Sequence, residues 1–282
     1  MEPAGAVRLR QARGSLGIFL TALCAGSVAA ILLLILGYVI REGGGALSVS
    51  FLTQLPHPIG VSGGGVANGI VGSAIIVGIA TLIAVPIGAL TAVYLTFFGR
   101  GAFAVTVRFL SDVLSGIPSI AVGLFAYTIL VAPMHHFSGF SASFAFAVLM
   151  LPVIISTAES AIKGVSREIY EGALALGLSR YSAIVRVVLP SARSGIITGI
   201  VLGIARVTGE TAPLLFTAFG SQFWELNPNN PMAELSLQVF TYAISPYRSW
   251  HEQAWGGALI LIVVVFLLNL GARIALRPAR DG

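Results

Sequence analysis

Six long apolar segments divide the chain, and polar segments separate each from the next. Every apolar segment comes close to or exceeds the roughly 20 residues that an α-helix needs to cross a membrane. We therefore predict an all-α, polytopic membrane protein with six transmembrane helices. Pro86 lies inside the second segment and predicts a kink there. The predicted spans cover residues 16–40, 69–98, 109–132, 143–161, 194–216 and 254–276.

The composition indicates lipid as the main solvent of the chain. Hydrophobic residues make up 56% of the 282 residues and charged residues only 10%. Soluble domains carry about 25% charged residues, so this chain has too little charge to cover a water-facing surface. The single cysteine, Cys24, lies in an apolar segment, and the histidines lack ligand spacing. The sequence therefore predicts neither a disulfide framework nor a metal site.

Positive charges are distributed unequally between alternate loops. Thirteen fall on one side of the predicted topology, whereas the other side has Arg41 and Arg248, and Arg206 lies within a span. The positive-inside rule places the larger group in the cytoplasm. This bias explains the net charge of +5 without a nucleic-acid partner, for which no motif is present. The thirteen residues are Arg8, Arg10, Arg13, Arg100, Arg108, Lys163, Arg167, Arg180, Arg186, Arg193, Arg273, Arg277 and Arg280.

Both termini are accordingly expected in the cytoplasm. We expect a cytoplasmic N-terminal segment over residues 1–15, a transmembrane domain over residues 16–276 and a cytoplasmic tail over residues 277–282.

The polar segment of residues 162–193 is much longer than the roughly two to eight residues that usually connect two helices. Ser166 is a suitable N-cap for an amphipathic helix, and Gly177 can supply the left-handed residue that ends it. A second helix is predicted from Ser179. We expect it to break at Leu189-Pro190, because the residue before a proline is pushed out of helical geometry. Two short helices joined at a glycine would form a projection that another protein can bind.

The spacing in this segment resembles the coupling-loop motif of type I ABC importer permeases. That motif is Glu-Ala-Ala, three residues, Gly, nine residues, Ile, one residue and Leu-Pro. The matching residues are Glu171, Gly172, Ala173, Gly177, Leu189 and Pro190, with Gly172 in place of alanine and Val187 in place of isoleucine. The resemblance implies the type I importer (MetI-like) permease fold and a loop that docks on a separate ATPase. The alternative is a surface hairpin without a special role.

The chain has no Walker A sequence, so ATP and Mg²⁺ are expected on the partner ATPase and no cofactor on this chain. No catalytic residues are predicted.

Two charged residues stand inside the predicted fifth span, where charges are costly and usually functional. Arg206 and Glu210 are four residues apart and would be neighbours on one helical face, near Thr208 and Thr211. The same face carries Gly195, Gly199 and Gly203, which would allow close helix packing. We expect the charges to face a substrate pathway. A mutually neutralising pair that only fixes helix packing is the alternative.

An arginine suits an oxyanion because its planar fork makes bidentate hydrogen bonds. Hydrogen phosphate carries a proton and can donate a hydrogen bond to a carboxylate. Sulfate carries no proton at neutral pH and would only be repelled, so Glu210 favours phosphate.

Three further sequence blocks resemble the A-type permease of phosphate-specific importers. They are Ser115-Gly116-Ile117-Pro118-Ser119-Ile120, Gly123-Leu124-Phe125-Ala126-Tyr127 and Gly209-Glu210-Thr211-Ala212-Pro213-Leu214-Leu215. The resemblance implies phosphate as substrate, with Arg206 and Glu210 as pathway charges. It also implies a place in the cytoplasmic (inner) membrane of a bacterial cell, a paralogous second permease, two ATPase subunits and an extracytoplasmic phosphate-binding protein. A permease of the same fold for sulfate or molybdate, or an ion-coupled secondary transporter, remains the alternative.

Overall fold

The computed structural model describes residues 4–58, 61 and 63–275. The predicted tail, residues 277–282, lies outside the described residues, as do residues 1–3 of the predicted N-terminal segment. All regular elements of the described part are helical, apart from one isolated β-bridge between Phe219 and Met232. The helices are α1 (Ala4–Gly44), α2 (Val49–Thr53), α3 (Ala67–Phe98), α4 (Gly101–Gly116), α5 (Ser119–Met134), α6 (Gly139–Lys163), α7 (Arg167–Ala175), α8 (Arg180–Val207), α9 (Leu214–Thr217), α10 (Leu235–Ala243) and α11 (Arg248–Ala275).

Five of these helices are long and apolar enough to cross a membrane on their own, judged by length and composition. They are α1 (from Gly14), α3, α6, α8 and α11. A sixth span results if α4 and α5, which meet at a bend of 107°, count as one crossing. Helix α1 extends four residues beyond the predicted end of the first span and begins within the predicted N-terminal segment, at Ala4.

The prediction of one continuous helix over residues 109–132 is wrong. The chain leaves helical geometry at Ile117, whose backbone is extended (φ −71°, ψ 132°), and Pro118 then starts α5 as its N-cap. Two effects of proline account for the bend. Its ring pushes the preceding residue out of the helical region, and its nitrogen has no hydrogen to continue the ladder.

The boundaries predicted for the fifth span, residues 194–216, are also wrong at both ends. Helix α8 begins at Arg180 and passes through Leu189-Pro190 without a break. A π turn over Ile184–Val188 precedes the proline, and the Leu189 N–H donates to the Ile184 carbonyl. This wider turn explains how the helix continues past a residue that lacks an N–H. At the other end, α8 stops at Val207.

Helix α6 forms the centre of the bundle. Most of its length is buried, and it packs against α3, α4, α5 and α8. Its side chains Phe146, Leu149 and Met150 are fully buried in the main hydrophobic core. In contrast, the most apolar stretch of α1 has no buried residue. Helix α1 contacts α11, where Tyr38 and Trp255 pack edge to face with their centroids 5.2 Å apart.

The region between α8 and α11 was predicted as a loop, residues 217–253. It contains the two-turn helix α10, and α11 begins before the predicted boundary, at Arg248. Helix α10 packs against α3 and α11, so this region is part of the bundle.

Candidate functional site

The predicted pathway residues lie at the point where α8 ends. Arg206 is in the last turn of the helix and Thr208 is its C-cap. The Glu210 N–H donates to the Val207 carbonyl in a turn beyond the helix. The hydroxyl of Thr208 is engaged with the Ile204 carbonyl at 2.8 Å, whereas Thr211 is half-buried beyond the helix end. This is the C-terminal end of a helix, which by itself favours a cation, so the positive charge available to an anion here comes from the Arg206 side chain.

Arg206 and Glu210 are not neighbours on one helical face, so this part of the prediction is wrong. Gly209 follows directly after the C-cap, and Glu210 has already left the helix. Both side chains are half-buried, and neither makes a hydrogen bond or ion pair within the described part of the chain. The arrangement leaves the guanidinium and the carboxylate free to bind other groups.

A buried carboxyl group, which the sequence analysis did not predict, stabilises the turn that follows the end of α8. Glu234 is completely buried and is the N-cap of α10, where it accepts from the backbone N–H groups of Ser236 and Leu237. The hydroxyl of Ser73 in α3 donates to its Oε1 at 2.9 Å. The hydroxyl of Ser236 lies 2.6 Å from its Oε2 and 3.1 Å from the backbone oxygen of Glu210. Glu234 therefore links α3, α10 and the turn that carries Glu210.

Burial raises the pKa of the Glu234 carboxyl group, and the hydrogen bonds that it accepts offset part of that rise. One sequence signal could have found this residue. Acidic residues are enriched at the beginning of helices, so a glutamate directly before the largely apolar segment Leu235–Ala243 indicates a helix start.

Two of the quoted sequence blocks meet beside this site. A methyl group added at Gly123 of α5 would lie 2.5 Å from the Pro213 Cα and 3.0 Å from its carbonyl oxygen. Only a glycine permits this approach of the two backbones. Leu214, the next residue, is fully buried in the main core together with Val122. The Gly123–Tyr127 block therefore lies against the Gly209–Leu215 block.

The three glycines of α8 lie against α6. A methyl group added at Gly195 would overlap the Ala161 side chain, and one at Gly199 would lie 2.7 Å from the Thr157 Cβ. At Gly203 it would lie 3.3 Å from Ile154 Cγ1. Small residues at these positions let the two helices approach closely, as is common between membrane helices. This contact fixes the position of the helix end that carries Arg206.

The segment of residues 162–193, which we call the coupling segment, contains the short helix α7 and the first turns of the long helix α8. Ser166 caps α7 through its hydroxyl, which accepts from the Glu168 N–H. Gly177 has a φ of +87°, and the Leu178 N–H donates to Ala173 while the Gly177 N–H donates to Leu174. These two bonds form a Schellman motif, the usual way in which a glycine terminates a helix. Ser179 then caps α8.

The coupling segment has one face against the bundle and one face open. Ala173 is buried and Tyr170 packs on Phe97 of α3 with a centroid distance of 5.2 Å. Leu176 and Tyr181, on the open face, are 87% and 75% exposed. Glu171 and Gly172 are exposed as well, whereas Leu189 is half-buried against the bundle and Pro190 is exposed. Large apolar side chains on a polar projection are typical of a protein-binding surface.

The fold and this projection together define a class of protein, the membrane-spanning permease subunit of a transport complex. The family described as "Binding-protein-dependent transport system inner membrane component" matches residues 84–277. The chain belongs to this family and is a multi-pass component of the inner membrane.

Three relatives with curated names show what the chain resembles. "Phosphate transport system permease protein PstA" of Yersinia pestis is 42% identical over 86% of this chain and 83% of its own length. The protein of that name from Haemophilus influenzae is 42% identical over 85% of each chain. "Phosphate transport system permease protein PstA 1" of Mycobacterium tuberculosis (strain CDC 1551 / Oshkosh) is 39% identical over 74% of this chain and 69% of its own length.

Among solved structures, a chain of the inward-facing MetNI methionine ABC transporter superposes with a TM-score of 0.63 at 16% identity. The match covers 75% of this chain and 94% of that one. The predicted all-α type I importer (MetI-like) permease fold is thereby confirmed.

Proposed function

We propose that this chain is one transmembrane subunit of an ATP-driven importer for inorganic phosphate. The observation that carries this proposal is the 42% identity, over most of both chains, to permeases of phosphate transport systems. The chemistry of the site agrees with it. Arg206 offers a planar fork for an oxyanion, and Glu210 offers an acceptor for the proton that hydrogen phosphate carries at neutral pH.

The same proposal assigns the coupling segment to a partner. A separate ATPase would bind the exposed face of α7 and its glycine turn, where Glu171, Leu176 and Tyr181 are accessible. Two such ATPase subunits would bind ATP and Mg²⁺. A paralogous second permease would complete the pathway within membrane lipid, and an extracytoplasmic phosphate-binding protein would deliver the substrate. Both termini and the coupling segment would lie in the cytoplasm, as the charge distribution predicts.

Substrate competition in proteoliposomes that contain the complete importer tests the proposal. We expect uptake of radiolabelled phosphate that requires ATP and the binding protein. A hundredfold excess of sulfate or molybdate should leave this uptake unchanged. Uptake that sulfate or molybdate suppresses would identify a permease for that oxyanion instead. Uptake that an ion gradient drives without ATP would identify a secondary transporter.

A further inference from the structure

A polar cavity lies at the opposite end of α8 from Arg206 and Glu210. It has a volume of about 540 Å³ and is bounded by the ends of α3 and α6, by α7 and by the beginning of α8. The cavity is separate from the turn around Glu210, because the length of α8 lies between them. The pathway described above therefore makes no use of it.

Four cationic side chains, each from a different part of the chain, line this cavity. Arg100 follows α3, Lys163 ends α6, Arg167 begins α7 and Arg180 begins α8. A single carboxylate, that of Glu171, shares the lining. Four cationic groups from four parts of the chain therefore face one carboxylate in this cavity, which gives its lining a positive net charge.

Two of these cations are already paired and two are not. Lys163 lies 2.8 Å from Glu159, and Arg167 lies 2.7 Å from Glu171. The side chains of Arg100 and Arg180 make no ion pair or hydrogen bond within the described part of the chain. Two guanidinium groups are thus available to an anion that enters between them.

The walls of the cavity are held by packing. The rings of Phe97 and Tyr170 pack against each other at a tilt of 45° with their centroids 5.2 Å apart, and Val188 is buried in a cluster with Ile162. The elements that carry the four cations are therefore fixed relative to one another. A preformed cluster loses less conformational entropy on binding than cations on free loops would.

We propose that this cavity binds a phosphate group, supplied either by the headgroup of an anionic phospholipid or by inorganic phosphate. Arginine forks match the oxygen pairs of a phosphate group, and their charge does not depend on pH in the physiological range. Arg100 lies just beyond the end of the α3 span, which is the depth at which lipid headgroups meet basic pockets between membrane helices. The site does not depend on the solute that the chain transports.

Ligand retention by the purified importer complex tests this site. The variant combines Arg100→Gln with Arg180→Gln. The matched control combines Arg186→Gln with Arg193→Gln. It also removes two exposed arginines from the side of the protein that carries most positive charges, but these two do not line the cavity. One arm measures phosphatidylglycerol retained after detergent washing, by native mass spectrometry, with phosphatidylethanolamine as the neutral comparison. The other arm titrates lipid-free complex with inorganic phosphate at constant ionic strength.

We expect the wild type and the control to bind one of the two ligands at least about tenfold more tightly than the Arg100/Arg180 variant. Loss in the lipid arm alone identifies a headgroup site, and loss in the phosphate arm alone identifies a site for the free ion. Equal binding by wild type and variant in both arms would overturn the proposal, as would an equal loss in the control. The result is separate from the substrate assignment, because an importer of another solute would keep the same cavity.

Discussion

Glu234 is the residue whose surroundings explain most about the site. Its carboxyl group is buried, caps α10 and contacts the hydroxyl that reaches the Glu210 backbone. A buried polar group that loses its partner costs about 1–3 kcal/mol, and losing an N-cap costs about 1 kcal/mol. We therefore expect Glu234→Ala to lower the thermal unfolding midpoint of the purified protein clearly. Glu234→Gln, which keeps an acceptor for both N–H groups, should lower it less. Equal midpoints for the wild type and both variants would show that the cap is unimportant.

The same residue predicts a pH dependence. Because burial raises the pKa of Glu234 above its ordinary value of 4.5, the native protein holds this proton more tightly than the unfolded chain does. Its contribution to stability is therefore present at low pH and is lost as the pH rises from about 4.5 through the raised pKa. Unfolding midpoints measured across this range should fall more steeply for the wild type than for Glu234→Gln. Parallel curves would mean that Glu234 does not titrate in this way.

At the scale of elements, the coupling segment depends on one glycine conformation. Gly177 has a φ of +87°, and no atom would lie within 4 Å of an added methyl group. Its replacement is therefore strained by backbone geometry alone, at a cost of about 1–2 kcal/mol. Gly172 is helical, exposed and equally free of neighbours, so it is the matched control.

We expect Gly177→Val to reduce transport-coupled ATP hydrolysis at matched membrane levels, because it displaces the turn that the ATPase would bind. Gly172→Ala should retain hydrolysis, and it adds helix propensity of up to about 1 kcal/mol. Wild-type hydrolysis by Gly177→Val would indicate that the segment is only a connector.

The contact between α6 and α8 allows a similar pair of variants. A methyl group at Gly199 would lie 2.7 Å from Thr157 Cβ, so Gly199→Ala should destabilise the protein by about 1–3 kcal/mol. Gly78 of α3 is exposed and has open space around it, so Gly78→Ala should change stability little. Thermal unfolding of the two purified variants makes the comparison. Equal midpoints would contradict the close packing of α6 on α8.

The predicted spans that agree with the structure and those that do not differ in how the backbone behaves at proline. The apolar runs at 16–40, 69–98 and 143–161 all lie within single helices of the structure, although Pro86 and Pro152 stand inside the second and third of these helices. Pro118 divides the predicted third span into α4 and α5, whereas the helix continues through Pro190 because a π turn precedes it. Hydrophobicity does not distinguish these two outcomes, since both depend on the local backbone. Glu234 was missed because its burial arises from tertiary packing of a segment that looks like a loop.

For the molecule as a whole, orientation in the membrane rests on the charge bias and stays a prediction. We expect Glu168→Cys in the coupling segment, in a Cys24→Ser background, to react with an impermeant thiol reagent only after the membrane is opened. Asn229→Cys, exposed in the region between α8 and α10, should react in spheroplasts with an intact membrane. Labelling of position 168 in intact spheroplasts would reverse the orientation and remove the basis for ATPase docking.

Arg206 and Glu210 at the end of α8 either contact the substrate or only stabilise helix packing, and transport by a double variant distinguishes these two roles. If Arg206 and Glu210 only neutralise each other, the double variant Arg206→Gln with Glu210→Gln should transport better than either single variant. If both groups contact the substrate, the double variant should be as inactive as the single ones. The absence of a direct ion pair between the two side chains within the described residues favours the second outcome.

The most direct test of the account is ATP-driven phosphate uptake by proteoliposomes that contain the importer with Arg206→Gln. Arg273→Gln is the control, because Arg273 is an exposed arginine of α11 that lies outside both the proposed pathway and the coupling segment. We predict that Arg206→Gln assembles with the ATPase but takes up no phosphate above background, while Arg273→Gln transports like the wild type. Wild-type uptake by Arg206→Gln would contradict the assignment of the α8 end as the substrate pathway.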